Sequence, residues 1–200
     1  MLQREMAPRL FRPHGGYQRL IAYQKAVVVF DGTGEFCRRY ADPHSRTYDQ
    51  MVQAARSGKQ NIVEGNRAAA TSAVMEIRLT NVARASLDEL LEDYTDYLRG
   101  HGMAAWNKDA PEALAIRRLG RTEEDRVARG SAAGAQPAGY ALYQPYVARS
   151  GGWAANTLLC LIHQTNYLLD RLLASQETRC ISEGGFTERL TAVRRRYRNG

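Results

Sequence analysis

Cysteine is scarce in this 200-residue chain: Cys37, Cys160 and Cys180 are too few and too scattered for a disulfide framework or a zinc site. Cys37 and Cys160 sit inside apolar helical patterns, where a thiol acts as a small buried hydrophobe. Long apolar runs are missing as well. The most apolar stretch, Ala154 to Ile162, falls far short of the roughly 18 residues a spanning helix needs, so no membrane role is expected. The first twenty residues hold four arginines and no continuous apolar segment, so no signal peptide is expected and a cytoplasmic, reducing compartment is. Enzyme signatures are absent in the same way. There is no glycine-rich phosphate loop and no nucleophile elbow, and Gly32-Thr33-Gly34 has neither the lysine nor the strand context of such a loop. A carboxylate di-metal bundle would need Glu-x-x-His pairs, and none occurs. The expectation is a non-enzyme with no cofactor and no metal.

What is present is a basic, helix-patterned chain. Hydrophobic residues make up 44% and charged residues 24%, the proportions of a soluble globular protein with a real core. The formal charge of +7 is uneven: residues 1–70 carry +5, 71–130 carry −2 and 131–200 carry +4. A basic balance draws polyanions, nucleic acid being the commonest, although net charge also simply keeps proteins in solution. Lys25, Lys59 and Lys108 are the only lysines beside 25 arginines. Arginine suits bidentate phosphate contacts, but coding bias in an alanine-rich chain gives the same excess.

The periodicity predicts an all-α protein, an up-down four-helix bundle with a long insertion between the third and fourth helices and a short basic helix at the C-terminus. Residues 1–16, with Pro8, Pro13, Gly15 and Gly16, read as a frayed arm, 17–183 as the bundle and 186–200 as a basic tail. The first helix, about 17–41, carries the stripe Leu20, Tyr23, Val27, Phe30, Gly34 and Cys37 and stops before Pro43. The second, about 45–64, carries Tyr48, Met51, Ala55, Gly58 and Ile62 and ends at Gly65-Asn66. Gly58 costs about 1 kcal/mol against alanine in a helix interior, which a close helix–helix approach would offset. Thr71 or Ser72 caps the third helix, about 72–99, with Glu76 near the positive end of its dipole. Its inner side is read as Met75, Leu79, Val82, Ser86, Leu90 and Tyr97, widened by Leu87, Leu91, Tyr94 and Leu98.

The pattern degrades over 103–151, much longer than a usual bundle connection, with short helices expected at Ala110 to Leu119 and Thr122 to Arg129 and a loop from Ser131 to Gly139. The fourth helix, about 153–182, is apolar over most of its circumference: Leu158, Leu161, Ile162, Tyr167, Leu168, Leu169, Leu172 and Leu173. Such a helix is covered on more than one side, which points to an oligomer.

Several of these segments together resemble a known family. They are Tyr23-Gln24-Lys25-Ala26, Gln53-Ala54-Ala55-Arg56-Ser57, Asn61-Ile62-Val63-Glu64-Gly65 and Ala85-Ser86-Leu87-Asp88-Glu89. They are similar to the small four-helix-bundle proteins first noticed as products of intervening sequences in ribosomal RNA genes, whose relatives include the accessory variability determinant of diversity-generating retroelements. Asn156 to Leu169, centred on Ile162-His163-Gln164, resembles the fourth helix of the four helix bundle suffix domain variant. The resemblance covers 17–100 and 152–175, and the 103–151 insertion departs from it. It implies a ring, a pentamer in this family, and in the retroelement branch a basic surface engaging nucleic acid and a reverse transcriptase.

Candidate contacts follow from charge spacing. Arg56, Lys59, Val63 and Arg67 share one helix face, which reads as a solvated flank with local ion pairs, with contacts to phosphates along a groove as the functional alternative. Lys25 of the first motif joins this nucleic-acid set. Arg194, Arg195, Arg196 and Arg198 with Tyr197 suit backbone contact and base stacking, or a disordered solubilising end. Asn61 and Glu64 read as a polar pair holding the second helix to a neighbour, and His163 as a hydrogen-bonded core or interface residue. Tyr140, Tyr143 and Tyr146 read as packing the insertion onto the bundle, with a stacking platform as the alternative. The leading reading is an oligomer whose basic face binds RNA or DNA, as accessory to a nucleic-acid enzyme. The alternatives are a protein-interaction scaffold of the same fold, and an enzyme with its site in the insertion.

Overall fold

The structure, a computed structural model, describes residues 16–128, 139–184 and 186–198. The chain is 84% helical, with no strand among the described residues. The helices are α1 (Ile21–Tyr40), α2 (Arg46–Ala68), α3 (Ala73–Gly100), α4 (Pro111–Ala128), α5 (Gln144–Val147), α6 (Gly151–Glu183) and α7 (Phe186–Arg198), with 3-10 turns at Tyr17–Arg19 and Gly139–Leu142. The predicted arm, apart from Gly16, and the predicted 131–139 loop, apart from Gly139, lie outside the described residues.

Hydroxyl caps set three of the helix starts. Ser45 accepts from the Thr47 amide, Ser72 from Met75 and Ser150 from Trp153, satisfying N–H groups that have no partner within their own helix. α1 and α3 each pack against both α2 and α6. Every one of these four neighbouring pairs runs antiparallel. Lys59 and Arg67 of α2 meet Phe30 and Tyr17. Gly58 and Gly65 of α2 meet Leu87 and Glu76 of α3. Glu76 and Asp88 of α3 meet Arg179 and Asn166 of α6, and Gln164 and Leu158 of α6 meet Lys25 and Gly32 of α1. Phe36, Met51, Leu87, Leu90, Tyr94, Leu158, Leu161 and Ile162 fill the centre. There the Tyr94 hydroxyl donates to Thr33 Oγ1 at 2.9 Å, so this buried pair leaves neither group without a partner.

The expected approach at Gly58 is present: a Cβ there would lie 2.8 Å from Leu87 Cδ2. Gly65 is a correction. It does not end α2, which continues to Ala68. It is a second site of close contact, where a Cβ would lie 3.2 Å from the Glu76 carbonyl oxygen. The bare backbone outweighs glycine's stop tendency because only glycine lets the two helices come this near.

Two predicted stripes are out of phase. α3 buries the expected Ser86, Leu87, Leu90, Tyr94 and Leu98, but in its first half it buries Ala73, Glu76, Thr80 and Ala83, while Met75 and Val82 are 44% and 45% exposed. Small and polar residues take the inner line because Glu76 has partners across the chain: Arg179 and Gln176 both donate to its Oε1. α1 begins at Ile21 rather than 17, because Leu20 is extended. It buries Ala22, Ala26, Val29, Thr33 and Phe36, with Lys25, Val28, Gly32 and Glu35 alongside, whereas the predicted Tyr23, Val27 and Phe30 are half-buried. The reason is the stretch between α3 and α6, which covers the other side of α1.

Within that stretch Pro111–Ala128 form one helix running through Gly120 where two were expected. α4 and α5 pack on α6, and the 139–147 segment packs on α1. Tyr140 donates to Glu35 Oε2 at 2.7 Å, Tyr40 donates to the Val147 carbonyl at 3.0 Å, and Tyr143 is buried. Tyr146 stacks on Trp153 with ring centres 6.5 Å apart, so Tyr140, Tyr143 and Tyr146 all serve packing. A good part of the second apolar side of α6, from which an oligomer was expected, is covered by the chain's own stretch between α3 and α6. Among the described residues no helix is long and apolar enough to cross a membrane.

Candidate nucleic-acid interface

The α2 cations are spread along the crease with α1. Arg56 and Arg67 are exposed. Lys59 lies with Nζ 3.9 Å from the centre of the Phe30 ring, and the Arg67 guanidinium sits 5.8 Å above Tyr17. Such cation–aromatic contacts hold the charged heads against the protein while leaving one face to solvent. Asp31 stands beside Lys59: burial pushes its carboxyl up, and the lysine charge pulls it back. Val63, on the same face, is buried.

Lys25 does not join this surface. It is 4% exposed and donates to Gln164 Oε1 at 3.0 Å beneath Gly120 of α4, so its role is internal. The phase of α1 explains the correction, since the insertion closes over the side that carries it.

Arg194, Arg195 and Arg198 are exposed on α7. Arg194, Tyr197 and Arg198 share one face at helical spacing, and Tyr197 is 90% exposed. The side chain of Arg196 lies outside the described residues. Cations in the last turns also offset the negative end of the helix dipole, so these arginines stabilise α7 as well as project charge.

A third basic site went unnoticed in the sequence. α3, α4, α6 and residues 105–108 enclose a cleft of about 630 Å³. α4 contributes Ala113, Arg117 and Arg121, spaced four residues apart on one face, and Lys108 stands at its entrance. α6 contributes Asn156, Leu159, Cys160, His163, Gln164, Tyr167 and Leu168, and α3 contributes Leu91 and Thr95. The end wall is pinned by Asn156, whose Oδ1 accepts from the Trp106 amide at 2.7 Å while Nδ2 donates to the Ala104 carbonyl at 3.2 Å. Trp106 packs edge-on to Trp153 with ring centres 4.8 Å apart. No carboxylate is among the described lining residues. Two sheltered donors on the lining side chains, Arg117 Nη2 and Gln164 Nε2, have no partner among the described residues. An unpaired buried donor of this kind costs about 1–3 kcal/mol. Reading residues 110–128 as one helix would have placed Arg117 and Arg121 together.

No family model matches the chain, nor does any curated protein or solved structure. Geometry is therefore the ground for function.

Neither Cys160 nor Cys37 is a poised nucleophile. Burial pushes the Cys160 thiol up to about 11 against the pull of Arg117. Burial likewise raises Cys37 to about 12, with Asp93 adding and Arg38 opposing. Both are protonated thiols at neutral pH and poor nucleophiles. No group of three or more metal-ligating side chains occurs among the described residues. His163, expected as a hydrogen-bonded core or interface residue, is exposed on the cleft wall, outside the core. Asn61 donates to Ser57 of its own helix, and it is Ser57 that meets Ser86 of α3 at 2.9 Å, while Glu64 is exposed. The α2–α3 groove of about 470 Å³ has the opposite charge, lined by Gln50, Gln53, Glu89 and Asp93. Burial, reinforced by Asp96 and Glu89, raises the Asp93 carboxyl there.

Proposed function

We propose that this chain is a non-catalytic RNA- or DNA-binding protein. In this reading α1, α2, α3 and α6 are an up-down four-helix bundle, and α4 and α5 belong to an insertion packed on its outside. The four antiparallel pairings support the bundle. The observation that carries the function is the exposure of Arg194, Arg195 and Arg198 beside Tyr197 on α7, cations and a stacking ring on one short helix. Arg56 and Arg67 add positive charge on α2. Self-association as a ring, with five copies as the resemblance implies, and service to a nucleic-acid enzyme such as a reverse transcriptase complete the proposal.

Fluorescence anisotropy of labelled RNA and single-stranded DNA at about 50 and about 200 mM salt tests the proposal. Neutralising six or more phosphates should cost on the order of a thousandfold in affinity across that range. An R194Q/R195Q/R198Q variant should bind more weakly and with a shallower salt slope. Absence of binding at micromolar protein in the lower salt would remove the nucleic-acid reading.

A second reading, a protein-interaction scaffold, is favoured by one observation. Val74, Met75 and Val82 leave an apolar strip on the outer face of α3, at 55%, 44% and 45% exposure. Such a strip suits another protein or another copy better than a polyanion.

A further inference from the structure

We infer that the cleft between α3, α4 and α6 is a binding site for a nucleotide-sized ligand, an aromatic base carrying a phosphate. The phosphate sits on the α4 side against Lys108, Arg117 and Arg121. The base lies against the apolar and aromatic surface of Leu91, Trp106 and Tyr167. The inference does not require the α7 surface to bind anything.

Size, charge and wall chemistry point the same way. The volume of about 630 Å³ falls inside the range of pockets that enclose small ligands. Three cations converge on it with no carboxylate among the described lining residues, so it is built for an anion. Arg117 and Arg121 lie one turn apart on α4, near enough to hold one phosphate together. A free inorganic anion would leave the opposite wall unused. Tyr167 is 62% exposed and lines the cleft, and the edge of Trp106 is held in place by Trp153 and by the Asn156 hydrogen bond to its amide. Planar faces of this kind stack bases of any sequence.

The rim argues for a short ligand over a strand running through. Glu92 and Asp96, next in sequence to the lining Leu91 and Thr95, are exposed on α3. A phosphate backbone crossing that rim would meet like charge, whereas a single phosphate held on the α4 side avoids it. The same chemistry comes as a free nucleotide or as the 5′-phosphorylated end of a strand.

The test is isothermal titration of the full chain with adenosine 5′-monophosphate, adenosine and inorganic phosphate, together with tryptophan fluorescence. The nucleotide should saturate one site per chain and quench the emission, with adenosine and phosphate each at least about tenfold weaker. Removing two exposed cations in K108Q/R121Q should weaken the nucleotide at least about tenfold. Y167S, also at an exposed position, should weaken it at least about fivefold through lost stacking. R194Q/R195Q/R198Q should leave nucleotide binding unchanged. A pentanucleotide with a 5′-phosphate, compared with its 5′-hydroxyl form, separates the sources. Binding tighter than the mononucleotide identifies a strand end, and equal or weaker binding a free nucleotide. No saturable nucleotide binding at millimolar concentration, or K108Q/R121Q binding as tightly as the parent, overturns the inference. Nucleotide binding without salt-dependent oligonucleotide binding would sink the proposed function and leave the cleft standing, and the reverse result would sink the cleft alone.

Discussion

The α2–α3 seam and the inserted stretch between α3 and α6 are held to the rest of the molecule by different means. At the seam two glycines remove side chains, so Leu87 and the Glu76 backbone reach the opposing helix directly. The insertion is fastened by separate polar ties: Asn156 to residues 104 and 106, Glu35 to Tyr140 and Gln144, and Tyr40 to Val147. Where α4 crosses α6 the nearest atoms to a Cβ on Gly120 belong to the tips of Gln164 and Lys25, with the cleft alongside. Close helix–helix packing like that of the seam gives cooperative stability. Discrete hydrogen bonds around a cavity give a part of the chain that can loosen by itself and has room for a ligand.

The sharpest break of this comparison lies in the seam. Leu87→Ala should cost about 2–5 kcal/mol in chemical denaturation, since the side chain is fully buried. Gly58→Ala should cost about 1–3 kcal/mol, because its Cβ would press on Leu87 Cδ2 and Cγ at 2.8 and 2.9 Å. In the double variant the clash is relieved, so the two costs should fall short of adding. Additive costs would show that the helices already yield at this point.

The next effect belongs to the insertion. Burial pushes the Glu35 carboxyl up, but hydrogen bonds from Tyr140, Arg39 and Gln144 and the charge of Arg39 outweigh it and hold the group below its ordinary 4.5. A depressed carboxylate adds stability that is present above its unfolded value and lost as pH falls through its folded one. Tyr140→Phe should therefore cost about 1–2 kcal/mol at neutral pH, and the gap to the parent should close as pH falls below the carboxyl's ordinary 4.5 and through its lowered folded range. A gap that persists in acid would mean that Tyr140 acts through packing alone.

The smallest effect is expected at Gly120. Because flexible side-chain tips can give way, Gly120→Ala should change stability by less than about 1 kcal/mol while protease cleavage within α4 becomes faster. A loss as large as that at Gly58 would show the two seams to be alike.

The same contrast decides what the sequence made legible. The seam was readable because its signals are local: a hydroxyl cap at Ser72, and a glycine, Gly58, in an otherwise periodic helix. The phase of α3 was not, because hydrophobicity marks Met75 and Val82 as core, whereas Glu76 and Thr80 face inward on the strength of Gln176 and Arg179, about a hundred residues away. Lys25 was misplaced for the same reason, its partner Gln164 being 139 positions distant. The cleft required knowing that α4 lies across α6, which no local pattern contains. The exposure of Arg194, Arg195 and Arg198 was legible because a terminal charge cluster needs no tertiary partner to be visible.

The length of α6 sets a rule of reach. At 1.5 Å per residue, the axis from Tyr167 to Gly184 spans about 25 Å. A mononucleotide lying against Tyr167 would not reach the junction of α6 and α7. Only something that long, such as several linked nucleotides, could touch Tyr167 and that junction at once, and α6 would then act as a gauge that tells a strand from its monomer.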